Sequence, residues 1–161
     1  LLIALRLPAF TKRAKREVVT SPKFYYFDVG VFRTLRPMGP LDTPEEAEGA
    51  ALETLFLQEL RAINDYFRLG YQLYYWRTRH GVEVDFIVYG EKGLHAFEIK
   101  RKSKISHKDS SGLRAFKKDY PMAKTYLVYG GKQTEYHGDV TVLPITEALV
   151  NLKTLLGAHA T

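Results

Sequence analysis

The chain has 161 residues, with 24 Lys and Arg against 18 Asp and Glu, a formal charge of +6 and 45% hydrophobic residues. These are values of a soluble globular protein rather than a disordered one, and the length suits one domain, or one domain plus a fragment of another. There is no cysteine, which excludes disulfides, thiol catalysis and cysteine-ligated zinc or iron–sulfur sites. No apolar run approaches the ~20 residues of a membrane helix. Leu1-Leu2-Ile3-Ala4-Leu5 is too short for a signal peptide and is followed by Arg6 and Pro8. With no initiating Met, the chain reads as an excised piece of something longer, of cytoplasmic origin.

In chain order, residues 1–7 are apolar and suit a short strand, and Thr11 to Arg16 is basic and exposed. Lys23 to Phe27 is aromatic and β-prone. Asp28 is placed to cap a short helix through Leu35. Three prolines and a glycine between Pro37 and Pro44 mark a linker. A boundary there makes residues 1–40 a connector and 41–161 the domain. Thr43 and Glu46 have capping-box spacing, and Pro44 suits a first helical position. A helix is predicted from Glu45 to Arg68, with Leu52, Leu55, Phe56, Leu60, Ile63 and Phe67 as its buried stripe and Gly70 as its end. Strands are predicted at Tyr71–Arg77, Val82–Tyr89 and Leu94–Lys100, the last two joined as a hairpin through Gly90-Glu91-Lys92-Gly93. A basic helix over Ser106–Asp119, strands at Thr125–Tyr129 and Val140–Leu143, and a helix over Ile145–Leu156 complete the order α-β-β-β-α-β-β-α.

Charge is unevenly spread. Residues 1–36 carry eight Lys/Arg and two acids, residues 37–97 five and ten, residues 98–124 nine and three, and residues 125–161 two and three. Two basic blocks thus flank an acidic middle, and blocks of this density attract polyanions such as nucleic acid. A solvated surface is the plainer reading of any single run.

Several acids of the middle segment fall where acids are uncommon. On a helical wheel with Leu52 as origin, the apolar stripe covers about 300° through 80°, with Glu59 near 340° inside it and Glu53 near 100° at its edge. Either acid also suits an ion pair with Arg61 or Arg68. Asp85 interrupts the hydrophobic run Val82-Glu83-Val84-Asp85-Phe86-Ile87-Val88, although Asp is depleted in strands. In the next strand Glu98 and Lys100 are two apart and share a face. An ion pair accounts for those two but not for Asp85 beside them. Together the groups suit a hard divalent cation, Mg²⁺ or Mn²⁺, held by Asp85, Glu98 and the Ile99 carbonyl, with Glu53 joining directly or through water. Lys100 beside it would assist a metal-bound water or neutralise charge on a phosphate. The basic residues Arg101, Lys102, Lys104 and Lys108, with Arg77 nearby, would hold the polyanion.

The arrangement Glu53 … Asp85 … Glu98-Ile99-Lys100 resembles the active-site signature of the PD-(D/E)XK nuclease superfamily, which includes restriction endonucleases and archaeal Holliday-junction resolvases. Gly49-Ala50-Ala51-Leu52-Glu53 is similar to the first-helix motif of the resolvases, and Val84-Asp85 takes the place of the Pro-Asp motif. The resemblance implies an α/β, restriction-endonuclease-like core with a central mixed sheet of about four strands flanked by helices. It also implies Glu53, Asp85, Glu98 and Lys100 as catalytic residues, Mg²⁺ or Mn²⁺ as cofactor, and DNA as substrate. More narrowly, Ser21-Pro22-Lys23-Phe24-Tyr25-Tyr26-Phe27-Asp28-Val29-Gly30, together with the Gly49–Glu53, Trp76-Arg77, Val84–Phe86 and Glu98–Lys100 segments, resembles the C-terminal domain of unknown function of prokaryotic AAA+ type ATPases. That implies an ATPase domain elsewhere in the full-length chain. This chain has no P-loop: Gly130-Gly131-Lys132-Gln133 lacks the upstream Gly and the hydroxyl residue.

These motifs leave two main expectations, beside a third, a self-association unit resting on exposed aromatics. One is a Mg²⁺-dependent deoxyribonuclease module. The other is an inactive module of the same fold that docks nucleic acid or protein for the ATPase. A homodimer suits the first, since a duplex has two strands to cut. The five histidines show no metal-ligand spacing and read as surface or turn residues, with His107 near enough to the basic block to touch phosphate. Tyr25, Tyr26, Tyr74, Tyr75 and Trp76 read as core or cross-strand pairs, or as base-stacking groups.

Overall fold

Thr43 begins the long helix as its spacing predicts. The computed structural model describes residues 4–28, 30, 34 and 39–157. The Thr43 hydroxyl accepts the Glu46 N–H at 3.2 Å, and the Glu46 carboxylate accepts the Thr43 N–H at 3.1 Å. This box starts α1 (Pro44–Tyr66). Its buried side is turned relative to the predicted stripe. Phe56, Leu57 and Leu60 are buried, whereas Leu55 and Phe67 are exposed. On the same wheel these three span about 40° through 140°, and Thr54 and Ala51, also buried, extend the inward arc to about 260°, which brings Glu53 inside it. Glu59 lies outside that arc and is exposed, correcting its placement on the core face. Leu57 is what rotates the seat.

Asn64 closes the turn after α1 by accepting the Tyr71 N–H and donating to its carbonyl, both at 2.9 Å. The chain then enters a mixed six-stranded sheet. Its strands are β3 (Gln72–Arg77), β4 (Glu83–Gly90), β5 (Gly93–Lys100), β6 (Lys124–Tyr129), β7 (Glu135–His137) and β8 (Val140–Pro144), in the spatial order β3-β4-β5-β6-β8-β7. The first three strands are antiparallel, β5, β6 and β8 run parallel, and β7 returns antiparallel on β8. The sheet therefore has six strands, not about four. Val140–Leu143 lengthens into β8, and β7 is too short for a period-2 signal. A 3-10 turn (His107–Ser110) leads into α2 (Ser111–Asp119), and α3 (Ile145–Leu155) closes the described fold.

Two cores lie on the two faces of the sheet. One joins α1 and α3 to Tyr75, Phe86, Val88, Phe97 and Ile99. The other joins α2, through Leu113 and Phe116, to Trp76, Val84, Ile87 and Leu127. The α2 backbone sits so near β4 that a Cβ on Gly112 would lie 2.2 Å from the Glu83 carbonyl oxygen.

The N-terminal segment wraps this body. β1 (Ala4–Leu7) and β2 (Lys23–Tyr26) pair antiparallel, Leu5 opposite Tyr25 and Leu7 opposite Lys23. Leu5 and Leu7 enter the first core, and Phe10 enters the second. Between them the chain runs along the outer edge of β3. The Phe10 N–H bonds the Tyr75 carbonyl at 2.7 Å, the Tyr75 N–H bonds that of Pro8 at 3.0 Å, and the Val19 N–H bonds that of Arg77 at 2.8 Å. Arg16 grips Asp119 with two hydrogen bonds of 2.5 Å. The helix expected between Asp28 and Leu35 falls largely outside the described residues. Asp28 accepts the Gly30 N–H at 2.7 Å.

Candidate functional site

A bulge in β4 builds the site. Tyr74 pairs with Ile87 and Trp76 with Val84, so Asp85 and Phe86 both stand opposite the single Tyr75. The extra residue breaks alternation. Val84 and Ile87 both enter the second core, while Phe86 and Val88 enter the first. A bulge re-aims the side chain it carries. The β4–β5 ladder stops at Phe86–Phe97. Beyond it the strands part, and Asp85 Oδ2 accepts the Ile99 N–H at 2.8 Å. An Asp that would weaken a regular strand here replaces a missing backbone partner, and its carboxylate is held at the mouth of the split.

Glu98 and Lys100 share one side of β5, as their spacing requires. Lys100 Nζ donates to Glu98 Oε1 at 2.8 Å. Glu98 is only 7% exposed. Its Oε2 is buried and receives no hydrogen bond among the described residues. Lys100 and Glu53 are half-buried. Glu53 arrives from α1, and its Oε2 accepts the Tyr25 hydroxyl proton at 3.3 Å. Lys23 pairs with Glu83, which Arg77 Nε also approaches at 3.7 Å.

Crowding three carboxylates out of water moves their ionisation. Burial, then the nearby Asp85, pushes Glu98 up to about 8. The same two causes push Glu53 up to about 7, against Lys23, the Tyr25 hydroxyl and Lys100. Burial raises Asp85, opposed by the Ile99 N–H, Lys100 and Lys23. For Lys100, burial works against its charge, but Glu98 and Asp85 outweigh it and its pKa rises. A cluster of buried and half-buried acids with raised pKa values is the environment that functional carboxylates often occupy.

The structure thus gathers Glu53, Asp85, Glu98 and Lys100. Ile99, expected as a carbonyl ligand, presents its N–H to Asp85. No three His, Asp or Glu side chains form a ready metal shell among the described residues. A hard divalent cation needs less, since one or two carboxylates completed by water suffice. Asp85 and the free Oε2 of Glu98 fit that smaller donor set. The basic residues sit around the site unequally. Arg101 pairs with Glu48 on α1, and Lys102 with Asp109 at 2.5 Å. Lys104 and Lys108 are exposed, and Arg77 belongs to the Glu83 pair.

Two residues at the site were not assigned to it from sequence. Lys23 and Tyr25 lie far upstream in a segment read as connector and aromatic core, and only the β1–β2 pairing brings them to Glu53. Their signal was a Lys at the head of an aromatic strand. One histidine corrects the surface reading. His95 is buried, stacks its ring near Tyr126 and lies 3.1 Å from the Tyr71 hydroxyl, with burial lowering its pKa to about 4. Tyr75 and Trp76 are core residues, as read.

Residues 48–148 match a family described as Domain of unknown function (DUF4143). The chain belongs to this family. The matched stretch contains Glu53, Asp85, Glu98 and Lys100, and leaves Lys23 and Tyr25 outside it. Two uncharacterized proteins, one from Mycobacterium bovis and one from Mycobacterium tuberculosis, are each 31% identical to this chain over 134 residues. Those alignments cover 82% of this chain and 29% of each relative, so the chain spans less than a third of the relatives it matches. No solved structure matches it.

Proposed function

We propose that the chain is a nuclease-like module of restriction-endonuclease-like fold that binds DNA and hydrolyses phosphodiester bonds with Mg²⁺ or Mn²⁺, serving an ATPase module in the same longer protein. The observation that carries this reading is the bulge. It spends a backbone irregularity to set Asp85 beside Glu98, Lys100 and Glu53, and leaves a buried carboxylate oxygen without a donor. Buried polar atoms are ordinarily satisfied, and this one lies among carboxylates, where a cation would satisfy it.

Asp85 and Glu98 would hold the cation, with Glu53 at its flank. A bound divalent ion supplies positive charge to a phosphodiester and lowers the pKa of water. Lys100 stays protonated beside Glu98 and offers charge to the phosphate oxygens. Lys104 and Lys108 carry exposed charge for the backbone of the polyanion. Proton release is part of binding, because Glu53 near 7 and Glu98 near 8 must both ionise.

One observation favours the alternative of an inactive docking module. Lys100 pairs with Glu98 at 2.8 Å, and such a pair can be purely structural. Calorimetry separates the readings. Mg²⁺ or Mn²⁺ titrated into the protein at pH 8 should give heat that vanishes in Asp85→Ala, followed by cleavage of branched or linear DNA by the wild type alone. No heat in the wild type, even with a DNA oligonucleotide present, would leave the docking module.

A further inference from the structure

The patterning of β2 runs opposite to what burial alone would select. Lys23 and Tyr25 stand opposite Leu7 and Leu5, whose side chains are buried in the first core. Residues paired across an antiparallel ladder share a face, so the ammonium of Lys23 is on the inward side. Phe24, on the other side, is 67% exposed. A strand built only to cover a core would place the phenylalanine in and the lysine out. The inward face is instead fitted to the carboxylates. The Tyr25 ring packs against Phe86, the residue beside Asp85, at 5.8 Å, and its hydroxyl donates to Glu53. The Lys23 ammonium lies over the Tyr75 ring at 5.0 Å and pairs with Glu83. Tyr75 faces the bulge, and its hydroxyl ties down the Ser21 carbonyl just before β2. The arm and the bulge are therefore fastened to each other by three side chains.

Charge gives the same answer. Glu53, Glu83, Asp85 and Glu98 face Lys23, Arg77 and Lys100 in this region. With all ionised, four negative charges meet three positive ones, and the chain upstream of residue 27 supplies one of the three. Lys23 and Lys100 enter from separate elements, and both favour the ionised forms of Glu53 and Asp85.

Resting on the metal-dependent reading above, we propose that the β1–β2 arm is a working wall of the site: Tyr25 positions Glu53, and Lys23 offers its ammonium to a backbone phosphate of DNA. The functional unit then begins at β1 rather than after the proline-rich linker. Anything that pulls β2 away from α1 and β4 removes a cation and an orienting hydroxyl together.

The test uses the intact chain and its variants Tyr25→Phe, Lys23→Met and Lys23→Arg. Tyr25→Phe keeps the ring on Phe86, and Lys23→Met keeps an unbranched chain on Tyr75, so both should melt close to the wild type. Tyr25→Phe should weaken Mn²⁺ binding about 5-fold by calorimetry, the equivalent of one lost hydrogen bond. Lys23→Met should lower the slope of log affinity against log salt by about 0.9 for a 20-base-pair duplex in EDTA, the value of one phosphate contact, and Lys23→Arg should restore it. Wild-type binding of both Mn²⁺ and duplex with unchanged variants overturns the role of the arm alone. A wild type that binds neither overturns the metal-dependent reading, and the wall falls with it.

Discussion

At the scale of single residues, Glu98 is where folding and the proposed metal binding oppose each other. In the unfolded chain its carboxyl ionises near 4.5, and in the folded protein near 8. Between those values the native state holds a proton that the unfolded state has released, so stability falls as pH rises through that window. Glu53 adds a similar slope between 4.5 and about 7. Glu98→Gln should remove most of this penalty, raising the melting temperature by about 5 °C at pH 8.5 and leaving it unchanged at pH 4. Scanning fluorimetry in EDTA reads both, and equal shifts at the two pH values would contradict the ionisation account. The same variant should lose Mn²⁺ binding. Gain of stability with loss of binding is the trade expected of a strained site. These acids were legible in sequence because each broke a local rule: Asp85 inside a hydrophobic strand, Glu98 inside another with Lys100 closing it two residues on, and Glu53 beside an apolar stripe. Glu59 broke the same rule and proved exposed, because Leu57, outside the predicted stripe, turns the helix.

At the scale of elements, caps and turns could be read and the bulge could not. Thr43, Glu46 and Pro44 announce α1, and Gly90 to Gly93 announces the hairpin, since each acts on its own neighbours. The register of β4 depends on a partner strand. Nothing in the run from Val82 to Val88 marks which residue is the extra one, and only the pairing with Tyr74 and Trp76 decides it. The contact of α2 with β4 is equally silent in sequence and equally demanding. Gly112→Ala would drive its Cβ to 2.2 Å from the Glu83 carbonyl, two residues from Asp85. Either α2 or β4 must move, so this substitution should cost about 2 kcal/mol in urea melts and weaken Mn²⁺ binding. Ser111→Ala, one position earlier and exposed, should stay within about 0.5 kcal/mol. A Gly112→Ala protein as stable as the wild type would show that α2 can lift off β4 freely.

At the scale of the molecule, the order of helices and strands from α1 to α3 was legible except for the three-residue β7, because the rest of that stretch alternates in period with clear punctuation. The role of residues 4–27 was not. Their composition reads as a connector, and no local pattern reveals that Leu5, Leu7 and Phe10 belong to two cores on opposite faces of one sheet. The hydrogen bonds that residues 8–19 make along β3 have a further consequence, for colloidal behaviour. A sheet is open for recruitment wherever a long strand shows unpaired amides, and natural proteins cover or blunt such edges. Here one rim ends in the three-residue β7. The other would expose Gln72 to Arg77, with Tyr74, Tyr75 and Trp76 in its centre, were it not overlaid by the N-terminal segment. A fragment trimmed to residues 41–161 should therefore self-associate with rising concentration in light scattering, beyond whatever the intact chain does. The wrap around β3 is thus also a sheath, keeping an aromatic template from pairing with the next molecule it meets.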